Sequence, residues 1–183
     1  MKIGVISDTH GDYLSVKKII DEIFTDIDIL LHAGDILNHG PRNPIPKGYE
    51  PQKLSEILNN LPIPVHFAKG NCDSEVDTLM IENFILSPYI FLSIEGIKIV
   101  VTHGDKNLDY FKKLSQKHAD ILITGHTHNY TLEKEKNFIM LNPGSTSIPK
   151  NHHHGTCALI DINSGTISIF DIEKKNVFAE ISF

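Results

Sequence analysis

Five short apolar runs in this chain each break off into an Asp, Asn or His beside a glycine, and this pattern constrains the fold more than anything else in the sequence. Lys2 to Ile6 runs into Ser7-Asp8-Thr9-His10-Gly11. Asp28 to Ala33 runs into Gly34-Asp35, and Pro64 to Ala68 is followed by Gly70-Asn71-Cys72-Asp73. Lys98 to Thr102 runs into His103-Gly104, and Ile121 to Thr124 into Gly125-His126-Thr127-His128. Short apolar runs bounded by turn residues read as buried strands. In open α/β sheets, ligands bind beyond the carboxyl ends of the strands. Glycine there lets the backbone turn sharply and come close to a ligand.

The intervening segments have helical spacing. Asp12 is placed to cap a helix carrying Tyr13, Val16, Ile19, Ile20, Ile23 and Phe24 on one face. Asn38 to Tyr49 is a Pro- and Gly-rich loop. Pro51 fits the first position of a helix with Leu54, Ile57, Leu58 and Leu61 inward. This βαβαβ order predicts a parallel sheet with helices on its outer face. The second half predicts further strands at Tyr89–Ile94, Phe138–Leu141, Cys157–Ile162, Thr166–Asp171 and Val177–Ile181. One helix is expected over Asn107–His118 and a hairpin turn at Asn163-Ser164-Gly165. The expectation is one α/β domain spanning 1–183, with two packed sheets and helices outside. A chain of 183 residues can bury about 70% of its unfolded surface in such a unit.

The residue types at the strand ends point to metal. Asp8 and His10 are two apart, as are His126 and His128, and in extended chain that spacing puts both side chains on one face. Asp8, His10, Asp35, Asn71, His103, His126 and His128 make seven donors. That exceeds the needs of one catalytic ion. Shared between two ions by one bridging carboxylate, the set gives each about four protein ligands and room for water. Oxygen and imidazole donors without thiolate suit Mn²⁺, Fe²⁺, Ni²⁺ or Zn²⁺. Each piece alone also reads as a capped turn; it is the five together, all at strand ends, that point to metal.

Acidic residues outnumber basic ones, 23 to 17, for a net charge of -6, which disfavours an extended nucleic-acid surface. A small phosphate-bearing substrate remains compatible, because a metal pocket sets its own local field. The apolar runs fall far short of the roughly 20 residues of a membrane span. Met1 leads straight into the first strand, so no targeting segment is expected. The two cysteines, Cys72 and Cys157, make no disulfide framework, so a reducing cytoplasm is expected. A homo-oligomer is left open.

With these blocks in place the chain resembles the calcineurin-like metallophosphoesterase superfamily, whose motifs Asp-x-His, Gly-Asp, Gly-Asn-His-Asp/Glu, His and Gly-His-x-His correspond to Asp8/His10, Asp35, Asn71, His103 and His126/His128. The segments Asp35 to Asn43, Gly70 to Asp77, Asn142 to Ser145 and Ile148 to Lys150 are similar to the YfcE-like branch of small bacterial phosphodiesterases. The resemblance implies a four-layer αββα sandwich of two mostly mixed sheets, with a dinuclear metal site at the carboxyl ends of the strands. It implies that Asp8, His10 and His128 hold one ion, that Asn71, His103 and His126 hold the other, and that Asp35 bridges. Mn²⁺ is the foremost expectation. The implied activity is hydrolysis of a small phosphodiester by a hydroxide bridging two divalent ions. Two dications less Asp8, Asp35 and hydroxide leave a formal charge of about +1, matching a diester's single negative charge.

Many members of the superfamily carry His where this chain has Cys72, as the YfcE-like branch also does. That His is assigned a general-acid role, so leaving-group protonation is in question here. Cys72 and His39 are the candidate catalytic residues; for Cys72 the plain alternative is a small side chain beside Asn71. Arg42 and Asn38 are candidate substrate contacts, with an exposed loop arginine as the plain reading of the first. Asn142 and Ser145 either shape the pocket floor or cap their own Pro-Gly turn. His152-His153-His154 reads as a solvated loop. Two other functions compete: a protein-interaction scaffold on the same fold, which a degraded ligand set would mark, and a phosphomonoesterase, against which Cys72 weighs.

Overall fold

The computed structural model describes residues 1–82 and 84–183. Its layering follows from the period-two alternation of side chains along strands. Strand β1 (Lys2–Ile6) sends Ile3 and Val5 to one face and Ile6 to the other. Strand β2 (Ile29–His32) does the same with Leu31 and Leu30. Strand β3 (Val65–Phe67) completes a parallel trio with them.

In the second half, β4 (Tyr89–Ile94), β5 (Ile97–Thr102), β6 (Ile121–Ile123), β7 (Tyr130–Lys134) and β8 (Ile139–Pro143) form a five-stranded sheet ordered β4-β5-β6-β8-β7. Its central strands β5, β6 and β8 are parallel, and the edges β4 and β7 are antiparallel. Strands β9 (Thr156–Asp161), β10 (Thr166–Asp171) and β11 (Asn176–Ser182) return to the first sheet, which is ordered β11-β10-β9-β1-β2-β3.

Three apolar clusters fill the gaps between layers. The inner faces of both sheets meet through Ile3, Val5, Leu31, Ile99, Val101, Ile121, Ile123 and Ile160. Helices α1 (Tyr13–Glu22) and α2 (Pro51–Asn59) cover the outer face of the first sheet with Val16, Ile19, Leu54 and Leu58. Helix α3 (Leu108–His118) covers the other sheet, where Phe111 meets Val100 and Leu122. The result is the expected four-layer αββα sandwich of two mixed sheets. Asp12 caps α1 by accepting from Ser15 N at 3.1 Å, and Pro51 opens α2.

Some elements depart from the sequence pattern. Helix α1 ends at Glu22, so Ile23 and Phe24 lie beyond it, yet Phe24 still packs into the outer cluster. Strand β7 and a short 3-10 helix over Glu75–Leu79 were not predicted. The first is an edge strand in which Tyr130 and Leu132 are only partly buried against the core and Glu133 and Lys134 are exposed, so its alternation is too short to read. The second is set by a local capping box between Ser74 and Asp77. The Asn163-Ser164-Gly165 turn joins β9 to β10, with Gly165 at φ +68°.

The contact between β1 and the helical layer is close enough to exclude any side chain at Gly4. A Cβ there would lie 2.7 Å from Phe24 Cε2 and 2.8 Å from Ile27 Cδ1. Gly4→Val should therefore overpack this layer and lower the unfolding free energy by about 1–3 kcal/mol. Urea denaturation is the check; an unchanged midpoint would mean the layer yields freely.

Candidate metal centre

The loops leaving β1, β2 and β6 do not continue as extended chain. Asp8, His10, Asp35, His126 and His128 all have φ between +47° and +67°. That region is uncommon for residues other than glycine and costs of order 1–3 kcal/mol each. The expectation that i, i+2 spacing in extended chain aligns Asp8 with His10 is thus corrected. The side chains converge because left-handed turns aim them.

Neighbouring loops hold these turns in place. Asp8 N donates to Gly34 O at 3.0 Å and His10 N to Asp35 O at 3.0 Å, so the first loop lies along the second. Ser145 Oγ and Ser147 Oγ both donate to Asp8 O, at 2.7 and 3.1 Å. Asn142 Nδ2 donates to Gly125 O at 2.8 Å. Asn142 and Ser145 therefore brace the site loops, and Asn142 Oδ1 also caps the turn through Gly144 N at 2.9 Å.

Asp73 is a residue the sequence reading did not single out. It is buried, and its carboxylate accepts from Asp35 N, Ile36 N and Gly70 N at 2.9, 2.7 and 2.7 Å. It clamps the loop after β2 to the loop after β3. The signal for it was its place two residues after Asn71. His32 is a second such residue. Its Nδ1 accepts from Gly34 N at 3.1 Å, so its Nε2 carries the proton and donates to Thr9 Oγ1 at 3.0 Å. Burial pushes its pKa down to about 3, which keeps it neutral behind the site.

Three imidazoles in the site are held through the other ring nitrogen. His10 Nδ1 donates to Asn38 O at 2.9 Å, His103 Nδ1 to Ala33 O at 2.8 Å and His128 Nδ1 to Ile148 O at 2.9 Å. Each therefore presents Nε2 to the centre. His10 Nε2 and His128 Nε2 face each other at 3.2 Å, and Asp8 Oδ1 lies 3.3 Å from the second and 3.8 Å from the first. Asp8 Oδ1 is fully buried and has no hydrogen-bond partner, while its Oδ2 accepts from Ser7 Oγ and His126 N. A buried carboxylate oxygen facing two ring nitrogens fits a positive charge placed among them.

A second grouping stands beside the first. His103 Nε2 lies 3.2 Å from Asn71 Oδ1 and 3.4 Å from Asp35 Oδ2, and the same Asp35 oxygen is 3.8 Å from His10 Nε2. Asp35 Oδ1 is fixed by the Cys72 N–H at 2.7 Å, so Oδ2 is left between the two groupings. His126 stands next to His103 with ring centroids 5.2 Å apart. Donor atoms of Asp8, His10 and His128, and of Asp8, Asp35 and His103, lie within 4.8 Å of one another.

The electrostatics agree. Burial raises the Asp8 and Asp35 pKa values, but the facing histidines outweigh it and hold both below the usual carboxylate range. Burial pulls His103 down, yet the hydrogen bond its ring donates to the Asp35 carboxylate and the charges of Asp8 and Asp35 lift it to about 9. Burial lowers His10 and His126. The centre is a buried spot of negative potential that favours positive charge.

The remaining predicted residues divide. Asn38, Arg42, Asn71, Cys72, His126 and His128 line one open cleft of about 740 Å³ above these donors. Burial, then the Asp35 charge, push the Cys72 thiol up to about 12, so it is neutral; its sulfur accepts from Asn71 Nδ2 at 3.3 Å. His39 is not among the residues that line the cleft, and its ring packs edge-on against Tyr49 at 5.4 Å. The His152-His153-His154 segment is not simply solvated. His152 stacks on Phe178 at 4.5 Å, and His154 pairs with Asp171 at 2.9 Å.

Comparison with known proteins agrees with this arrangement. The calcineurin-like phosphoesterase superfamily domain matches residues 1–165. Phosphodiesterase YfcE of Escherichia coli is 33% identical over 185 residues, spanning 100% of this chain and 98% of its own. Phosphodiesterase MJ0936 of Methanocaldococcus jannaschii is 29% identical over 188 residues, spanning 96% and 95%. The solved structure of YfcE, a phosphoesterase from E. coli, matches with a TM-score of 0.87 at 31% identity, over 100% of this chain and 99% of that one. With acidic and imidazole donors gathered at the strand ends of this sandwich, and similarity running the length of the chain, the protein belongs to the calcineurin-like phosphoesterase superfamily and is a metallophosphoesterase.

Proposed function

We propose that this chain hydrolyses phosphate diesters with two divalent ions, one held by Asp8, His10 and His128, the other by Asn71, His103 and His126, with Asp35 shared. The observation that carries this reading is the unpartnered Asp8 Oδ1 facing the opposed Nε2 atoms of His10 and His128. The placing of Asp35 Oδ2 between the two groupings supports its sharing. When bound, such ions lower the pKa of water to about 7 and neutralise phosphoryl oxygens. Mn²⁺ is the proposed metal, with Ni²⁺, Fe²⁺ and Zn²⁺ as alternatives.

The chain's own groups do the positioning. Backbone carbonyls of Asn38, Ala33 and Ile148 orient three imidazoles, and the Cys72 N–H orients Asp35. Cys72 stands at the cleft wall beside Asn71, and a bound metal-activated hydroxide would leave it no nucleophilic role to fill. The diester preference is supported by the relatives named phosphodiesterase and by the count of about +1 at the centre. A scaffold role would call for a degraded donor set, whereas all seven donors are present in this sequence. No helix among the described residues is long and apolar enough to cross a membrane, and both cysteines are free, which supports a cytoplasmic setting.

Three measurements test this. Metal analysis after desalting from Mn²⁺ buffer should give about two equivalents per chain; a value near zero would sink the dinuclear reading. Asp35→Asn should lower turnover about a thousandfold or more while leaving the thermal midpoint nearly unchanged, because Asn keeps an acceptor for the Cys72 N–H. A variant retaining a tenth of wild-type rate would rule out the shared role. In a leaving-group series of aryl diesters, the wild type should slow steeply as leaving-group pKa rises. Cys72→His should flatten that dependence by supplying a proton donor worth about 10² to 10⁴-fold for poor leaving groups. A flat wild-type series would show that another acid already acts.

A further inference from the structure

We infer that the cleft is built for a diester one of whose alcohol arms carries a second phosphate group, and that Arg42 and Lys150 hold that group. The inference rests on the diesterase reading above.

Arg42 is the chain's one arginine, against sixteen lysines. It lies on the loop after β2 and faces the same cleft as Lys150, which comes from the segment between β8 and β9. Both backbones are tied to the metal centre. Lys150 N donates to His128 O at 3.0 Å. The loop bearing Arg42 is closed by Asn43 N to Gly40 O at 3.2 Å and by Asn43 Nδ2 to His39 O at 3.0 Å. At Gly40 it runs so close to Cys72 that a Cβ there would lie 2.7 Å from Sγ. Both side chains are exposed, and neither forms an ion pair or hydrogen bond among the described residues. Lys2, Lys17, Lys18, Lys53 and Lys175 are each matched with a carboxylate, and among the other lysines, which like Lys150 make no ion pair among the described residues, Lys150 is the one that lines this cleft.

Charge and size then name the ligand class. The carboxylate lining the cleft is Asp35, which belongs to the metal centre. A centre of about +1 is matched by the scissile diester alone. Arg42 and Lys150 add two positive charges with no protein anion facing them, and a phosphate monoester of about −1.5 to −2 at neutral pH supplies the complement. The guanidinium fork suits two phosphate oxygens and the ammonium a third. A cleft of about 740 Å³ has room for an arm of nucleotide size, whereas a bare dialkyl phosphate would leave most of it to water.

The test compares two p-nitrophenyl diesters with one leaving group: thymidine 5′-(p-nitrophenyl phosphate), with and without a 3′-phosphate. Bis-p-nitrophenyl phosphate serves as the baseline diester. In the Mn²⁺-loaded enzyme the 3′-phosphate should raise kcat/KM at least about tenfold, chiefly through KM. The ratio should fall toward one in Arg42→Gln and Lys150→Gln and persist in Lys134→Gln, a lysine of the distant β7 edge. A wild-type ratio near one, or a ratio that survives both cleft substitutions, overturns the inference while turnover of the baseline diester leaves the diesterase reading standing. Failure to hydrolyse any of the three diesters defeats both.

Discussion

Three buried imidazoles whose Nδ1 protons are committed to backbone carbonyls are the constraint on which the rest of this site depends. An imidazole with a fixed donor on one nitrogen has a fixed lone pair on the other. The carbonyls of Asn38 and Ala33, on the connection after β2, and of Ile148, between β8 and β9, are each at least twenty residues from the ring they hold, so the orientation of each ring is decided by the fold and not by local sequence. The consequence is a cluster of acceptors with too few donors. Asp8 Oδ1 is buried without a partner, and two Nε2 atoms face each other at 3.2 Å. In a low-dielectric interior this arrangement is costly unless a cation sits among the acceptors.

The architecture explains how such a cluster is sustained. The carboxyl ends of both sheets' parallel strands meet at one place, and His103 at the end of β5 reaches across to Ala33 at the end of β2. Asp73 fastens the loop after β2 to that after β3 through three backbone donors. The serines at 145 and 147 hold Asp8 O from the other side. Five left-handed backbone positions concentrate strain of several kcal/mol in total here. The apolar layers beneath, with Ile3, Leu31, Ile99 and Ile121 fully buried, form a scaffold stiff enough to support it.

The sequence named residues that the fold brings close together and misdescribed their local geometry. Residue type and glycine neighbours at strand ends are local facts, so Asp8, Asp35, Asn71 and His128 could be picked out directly. The conformation that unites them is left-handed, not extended, because it is imposed by hydrogen bonds from loops distant in sequence. The fold was legible for the same reason that its strands are buried: period-two alternation gives a strong signal. Strand β7 gave none, since its edge position lets Glu133 and Lys134 face solvent. His39 looked well placed beside Asn38, but a one-residue step turned its ring onto Tyr49. Lys150 ended the Ile148 to Lys150 block that resembles the YfcE-like branch, but its place at the cleft was not legible there, because it depends on the pairing of its backbone with His128.

Local and overall charge in this protein have opposite signs, and the difference bears on what can enter. The chain carries a net charge of -6, yet the cleft wall presents Arg42 and Lys150 above a centre suited to cations. At physiological ionic strength the Debye length is about 8 Å, so the acidic remainder is felt weakly by a small anion already inside the cleft. A long polyanion is treated differently. Its phosphates beyond the cleft lie over a surface where acids outnumber bases, and each one adds repulsion where a nucleic-acid binding protein would release a counterion. A charge distribution suited to the compact, multiply charged phosphate ester inferred above thus works against an extended one. Under the inference drawn above, discrimination by size follows from the placing of Arg42 and Lys150 at the cleft against a net acidic chain.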